Sequence, residues 1–143
     1  MEKFAIAVKA LITRPSYKCP DGELLVLYNA LDDPNRPGES DFPGGRLELG
    51  EDPYSGLNRE LREELGEDIA NAILTEHPLD VNHFERPDGQ VVTMIFFRCH
   101  LLYKDKDIKL SPEHSSFEWI PLDKAGEHVH YRMFRAYERL RRE

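Results

Sequence analysis

The chain is poor in cysteine, in basic charge and in long apolar runs, and each shortage closes off a class of protein. Its two cysteines, Cys19 and Cys99, stand in unrelated surroundings, which excludes a disulfide-stapled scaffold and predicts free thiols without a catalytic role. Lys and Arg number 19 against 27 Asp and Glu, a formal net charge of -8. No nucleic-acid partner is expected, because every backbone phosphate would be approached against the global field. An acidic protein that handles phosphate needs bridging cations. The longest strongly apolar stretch, residues 91–97, is far too short to span a bilayer and is made of strand formers, so no membrane partner is expected either. Residues 1–13 carry Lys9 inside their apolar run and no cleavage signal. They read as a strand rather than a secretory leader, and the expected location is cytoplasmic.

What the chain does have is enough for one core. At 143 residues it sits near the usual size of a single domain, predicted to occupy residues 1–143, without an internal repeat, linker or low-complexity tract. Phe4, Ile6 and Val8 alternate with small residues and the pattern resumes at Leu11 and Ile12, which predicts a strand. Residues 14–22, with two prolines and Asp21-Gly22, predict a turn, and residues 24–28 a buried strand that pairs back. Residues 32–40 are rich in Pro, Asn, Asp and Gly, hence a surface loop overhanging the site and leading to the Phe42-Pro43-Gly44-Gly45 bend. Asp52 before Pro53 is a helix start and Gly66 a stop; between them Tyr54, Leu57, Leu61 and Leu65 form one apolar stripe, slightly weakened by Gly56. Residues 69–84 and 91–103 predict extended segments joined by a turn at Pro87-Asp88-Gly89, and residues 117–120 a further short strand. Residues 130–142 predict a closing helix with Met133, Phe134, Tyr137 and Leu140 on one side. Strands before and after a central helix point to an α/β domain.

Chemistry concentrates in the predicted central helix. At about 100° per residue, Glu60, Glu63 and Glu64 fall within one arc beside the leucine stripe. Like charges at this spacing destabilise a helix by a few tenths of a kcal/mol per pair, roughly, so something should compensate, and a divalent cation is the economical candidate. Oxygen-only ligands suit a hard cation such as Mg²⁺, which keeps several waters while taking a few carboxylates and substrate phosphate oxygens. Such an ion neutralises a diphosphate and lowers the pKa of a bound water, while a spare carboxylate serves as general base. This combination is suited to phosphoanhydride hydrolysis.

Gly45, Glu51, Arg59, Glu60, Leu61, Glu63, Glu64 and Gly66 also fill a known pattern: Gly, Glu after five residues, then after seven Arg-Glu, an aliphatic residue, any residue, Glu-Glu, any residue and Gly. On residues 45–67 the chain closely resembles the Nudix hydrolases. Seven fixed identities at roughly 7% background coincide by chance in about one window in 10⁸. One departure is visible: Glu67 stands where the family usually has an aliphatic residue, with Ile69 two places on, which leaves the proposed ligands in place.

The resemblance implies an α/β/α sandwich with a mixed sheet and a Mg²⁺-dependent hydrolase, with Mn²⁺ as a substitute ion. The implied substrate is a small nucleotide, a nucleoside diphosphate linked to another group: nucleoside triphosphates, nucleotide sugars or dinucleoside polyphosphates. It implies that Glu60, Glu63 and Glu64 hold metal with the Gly44 carbonyl, that Glu60 or Glu64 activates water, and that Arg59 pairs with Glu51 to orient the cluster. A further acidic ligand is expected from a loop before a late strand, where Glu113 is preferred to Glu118, and Arg46 is placed against a phosphate. Residues 32–40 and 79–90 are expected as loops that read base or sugar. Val81, Asn82 and His83 stand where relatives preferring ADP-ribose carry proline, which disfavours that substrate. Two other readings stay open: an inactive nucleotide-binding module, and an isoprenoid diphosphate isomerase, which would need a cysteine at the cleft. His77, His83, His100, His114, His128 and His130 show no ligand spacing with cysteine and are read as structural or surface groups. Arg132, Arg135, Arg139, Arg141 and Arg142 are read as the wet side of the closing helix, and a homodimer is the expected assembly.

Overall fold

The alternation near the amino terminus becomes β1 (Phe4–Ser16), the strand around which the sheet is organised. The computed structural model describes residues 4–103 and 106–143, so residues 1–3 of the expected first strand lie outside the described part. Along β1, Ala7 and Leu11 face one helical layer while Val8, Ala10 and Ile12 face the other, as a period of two requires. β2 (Cys19–Asn29) follows, then the short β3 (Ser40–Asp41) and β4 (Gly44–Arg46), then α1 (Pro53–Leu65) and one turn of helix, α2 (Glu67–Ala70). β5 (Ile73–Glu85) and β6 (Val91–Leu101) form a hairpin, β7 (His114–Pro121) comes late, and two short 3₁₀ segments lead to α3 (Phe134–Arg142).

The strands run in the order β3-β2-β1-β6-β5, with β4 paired to β1 and β7 paired to β2. β1 and β6 are parallel over Phe4↔Val91 to Thr13↔His100, and the other pairs are antiparallel, which makes the sheet mixed. One face is covered by α1 and α2, where Leu57, Leu61, Leu65 and Ile69 bury against Val8, Ile12, Leu25, Leu27 and Phe97. Burying each such leucine contributes about 1.5–3 kcal/mol. The opposite face is covered by α3, with Met133, Ala136, Tyr137 and Leu140 against Leu11, Leu24, Val26 and Phe96. β6 lies between both layers, and this is why residues 91–97 are apolar without alternation.

The helix ends are where the sequence puts them. Asp52 accepts hydrogen bonds from the amides of Tyr54 and Ser55, Pro53 opens α1, and the Gly66 amide closes it on the Arg62 carbonyl. Ile69, two places after Glu67, is fully buried in the core on the α1 side. Gly56 is more than a weak point: a β-carbon there would run into the Leu47 side chain and lie 2.9 Å from a Glu51 carboxylate oxygen, so it lets the preceding loop press onto α1.

Several expectations need correction. The turn expected over residues 14–22 is a tight one at Tyr17 and Lys18, and Pro15 falls at a register shift inside β1, an irregularity that spares it a ladder bond. Ile69 and Ala70 are helical, not the start of an extended segment. Residues 79–85 belong to β5 rather than to a loop; β5 is an edge strand and absorbs Pro78 between two register shifts. The closing helix begins at Phe134, with residues 131–133 in a 3₁₀ turn, and Ala136 takes the buried place expected of the half-exposed Phe134. Arg135 and Arg139 are half exposed as expected, but both reach the buried Asp80 on β5, at 2.8 and 3.6 Å. Both cysteines are free. Among the described residues no helix is long and apolar enough to cross a membrane.

Candidate metal and phosphate site

The site exists because β1 and β2 part company. They pair at Thr13↔Leu24, but further along β1 takes β4 as its partner and β2 takes β3. Residues 40–46 fill the gap, pinned by the Ala10 amide on the Pro43 carbonyl at 2.8 Å. Gly44 sits at the tip of this wedge with φ of +142°, and a β-carbon there would overlap the Val8 carbonyl oxygen, so only glycine fits. Its amide points at α1 and donates to Glu64 Oε2 at 3.0 Å.

Glu64 is 4% exposed, and burial pushes its carboxyl up to about 8, against the opposing pull of Lys9 and the Gly44 amide. Burial also raises the Glu60 carboxyl, in spite of its bond to Arg59. Glu60 and Glu63 are gathered by Arg59, whose Nη1 lies 3.0 Å from Glu60 and 3.4 Å from Glu63. The rest of that guanidinium makes a fork onto Glu51, Nε to Oε2 at 2.8 Å and Nη2 to Oε1 at 3.0 Å, and it also reaches the Arg46 carbonyl. The fork holds the Glu51 carboxyl at about 2 and raises the guanidinium further.

The opposite wall is a strap hung on the end of α1. Lys109 donates its amide to the Leu65 carbonyl and Ser111 to that of Glu64, while Ile108 and Leu110 pack on the α1 side of the core. The strap delivers Glu113, whose carbonyl accepts from the Ala30 amide at 2.9 Å, and then His114. One ligand atom each from Glu64, Glu113 and His114 lie within 4.8 Å of one another. Two carboxylates and an imidazole at that spacing fit a divalent cation. Glu118 is engaged elsewhere, accepting from the Tyr28 hydroxyl at 2.8 Å, and that hydroxyl also meets His128 at 3.1 Å.

A cavity of about 420 Å³ lies between these walls, lined among others by Lys9, Asp41, Gly44, Glu64, Glu113 and His114. Lys9 is 8% exposed and bonded to Asp41 at 3.1 Å and to the Phe42 carbonyl at 3.3 Å. A second cavity of about 680 Å³ shares Lys9 and Arg36 with the first and continues along Gly45, Arg46, Phe84, Arg86, His130 and Arg132. There the Arg132 guanidinium stacks 4.0 Å over the Phe84 ring. In a chain of net charge -8, this is a local concentration of cations beside an aromatic face.

The structure therefore brings Glu64 and Glu113 together, joins Arg59 to Glu51, and sets Arg46 on the second cavity wall. It leaves Glu60 and Glu63 on Arg59 rather than on that cluster. The sequence assigns Lys9 and Asp41 no site role and reads His114 as a structural or surface group, whereas all three line the cavity. The signal for Lys9 was a charge interrupting an apolar strand, and for His114 its place beside Glu113; Asp41 gave none.

A mixed sheet between two helical layers, with a buried helix glutamate in a cleft at a splayed strand pair, defines an α/β fold whose site suits a divalent cation. The family model described as the NUDIX domain matches residues 3–140, and the chain belongs to that family. It is 31% identical over 121 residues to the nucleoside triphosphatase NudI of Escherichia coli O81 (strain ED1a), covering 79% of this chain and 84% of the relative. The MutT protein from Methanosarcina mazei Go1 superposes with a TM-score of 0.77 at 29% identity, over 99% of this chain and 95% of that one. A C. elegans Ap4A hydrolase shares the fold, with a TM-score of 0.80 at 20% identity over 96% of both chains. The chain is a Nudix-type hydrolase, of a family that acts on small nucleotides and generally uses divalent metal.

Proposed function

We propose that the protein hydrolyses a phosphoanhydride bond of a nucleoside diphosphate linked to another group, with Mg²⁺, and that nucleoside triphosphates are its foremost substrates. The observation that carries this reading is the buried Glu64 facing Glu113 across a cavity that meets, at Lys9 and Arg36, a second one lined by cations and Phe84. The first cavity suits a cation and a diphosphate; the second suits base and sugar, with Arg46 against a phosphate. Among the members of the substrate class, the similarity to a nucleoside triphosphatase favours triphosphates.

Glu60, Glu63, Glu64, Glu113 and the Gly44 carbonyl would hold the cation. When bound, it neutralises the diphosphate and acidifies a water beside the attacked phosphorus. Glu60 or Glu64 takes the proton of that water, a task suited to carboxyls whose basicity burial has raised. Arg59, clamped on Glu51, holds the Glu60 and Glu63 carboxylates together on α1. Lys9 and Arg36 offer positive charge where the two cavities meet. The isomerase alternative would call for a cysteine at the cleft. Cys99 is fully buried in the α1-side core with its thiol pushed up to about 12, and neither cysteine lines either cavity.

The test is a panel of nucleoside triphosphates, nucleotide sugars and dinucleoside polyphosphates with Mg²⁺, read by phosphate release and product chromatography. Turnover should be fastest on a triphosphate. Binding without turnover anywhere in the panel would identify a binding module instead. Glu63→Gln, which keeps shape and loses charge, should slow turnover about a hundredfold or more while the circular dichroism stays unchanged.

A further inference from the structure

Among the described residues, two buried side-chain polar atoms have no hydrogen-bond partner, Ser111 Oγ and His114 Nδ1, and both belong to the strap that walls the cleft. Buried polar atoms are nearly always paired, so an orphaned one calls for an explanation. His114 is 8% exposed, and its backbone is fixed twice, by its amide on the Ser111 carbonyl at 3.2 Å and by its place opposite Asn29 in the sheet. The backbone therefore sets His114 on the wall of the cavity that contains Glu64 and Gly44. A ring nitrogen of His114 and carboxylate oxygens of Glu64 and Glu113 lie within 4.8 Å of one another. Three atoms within that span all lie within about 2.8 Å of one point, so reaching bonds of about 2.0–2.2 Å needs each to move by less than about 1 Å.

We propose that His114 supplies a nitrogen ligand to the cation held by Glu64 and Glu113, and that this mixed set makes the site prefer Mn²⁺ or Co²⁺ to Mg²⁺. The inference rests on the metal-assisted reading above and adds the identity of the ligand and the ion. Mg²⁺ binds oxygen almost exclusively, whereas imidazole strengthens binding of the first-row transition ions. A site of carboxylates alone would leave the ring with nothing to do. With Mg²⁺ bound, water takes the place of the imidazole and the ring adds little to affinity.

The experiment uses the full chain stripped of metal by chelation and then titrated with Mn²⁺. Free ion is read by electron paramagnetic resonance, and the bound ion by pulsed measurement of ¹⁴N coupling. The wild type should show coupling to a directly bound imidazole nitrogen. His114→Ala and His114→Gln should both abolish it and weaken Mn²⁺ binding about tenfold or more, with Mg²⁺ affinity, followed by calorimetry, moving less than about twofold. Saturable Mn²⁺ binding without nitrogen coupling in the wild type would overturn the proposal, whatever the variants do. Coupling that persists in both variants would overturn it too, since the nitrogen would come from another histidine. No saturable Mn²⁺ binding at all would overturn this proposal together with the metal-assisted reading, and is told apart by that result.

Discussion

A single protonation couples stability to the site. The Glu64 carboxyl moves from an ordinary 4.5 to about 8 on folding because it is buried. Between those values the folded chain keeps a proton that the unfolded chain has released, so this group's stabilisation is complete below about pH 4.5 and is lost as pH climbs through about 8. The Tm of metal-stripped protein should therefore fall across that window, and Glu64→Gln should flatten that part of the slope; a Tm rising for the wild type but not for the variant would contradict a buried, protonated Glu64. A divalent cation needs the carboxylate and competes with this proton, so saturating Mg²⁺ should weaken or reverse the trend. Part of this is legible in the sequence through the family resemblance, which implies that Arg59 pairs with Glu51, and the fork is there. Lys9 and Asp41 are not, because their burial depends on β1 and β2 diverging, which is not written in either strand by itself.

Among the elements, α1 is the one whose bounds follow from local chemistry alone, through Asp52, Pro53 and Gly66. The strand ends were less legible. The prolines of residues 14–22 predict a turn, yet Pro15 sits inside β1 at a register shift, and Pro78, within the segment expected to be extended, lies between two more, where an edge or a bulge removes the need for an amide donor. Gly56 shows how context changes a helix rule. In an exposed helix, Gly→Ala gains about 0.5–1 kcal/mol. Here the new methyl group would meet Leu47 and Glu51, so Gly56→Ala should destabilise the protein by about 1 kcal/mol or more in urea titration. It should also slow turnover, because Glu51 is the carboxylate that clamps Arg59. A gain in stability would mean that the loop over α1 yields freely.

The two faces of the whole molecule do different work. The α1 side carries carboxylates to the cleft, while α3 is tied to the edge strand β5 through Asp80, whose side chain is 3% exposed. Replacing Arg135 and Arg139 together by alanine leaves that carboxylate buried without a cation. The double variant should lose about 1–3 kcal/mol in urea unfolding, more than the sum of the single changes, since either arginine alone can still answer Asp80. Additive losses would show that the arginines act independently. Apolar recurrence points to strands around a central helix and to a closing helix near the end of the chain, while the layered sandwich is what the family resemblance implies. The contacts between the arginines of α3 and β5 are not legible, because long-range pairing leaves no local pattern.

Glu64 serves the molecule twice, its side chain entering the cleft and its carbonyl carrying the strap that brings Glu113 and His114. Both walls of the cleft thus meet at the last turn of α1, the strap tied there through the Glu64 and Leu65 carbonyls. Unwinding of that turn would free the carboxylate and cut the strap's tether together, leaving Glu113 and His114 moored to the end of β2 through Ala30 and Asn29.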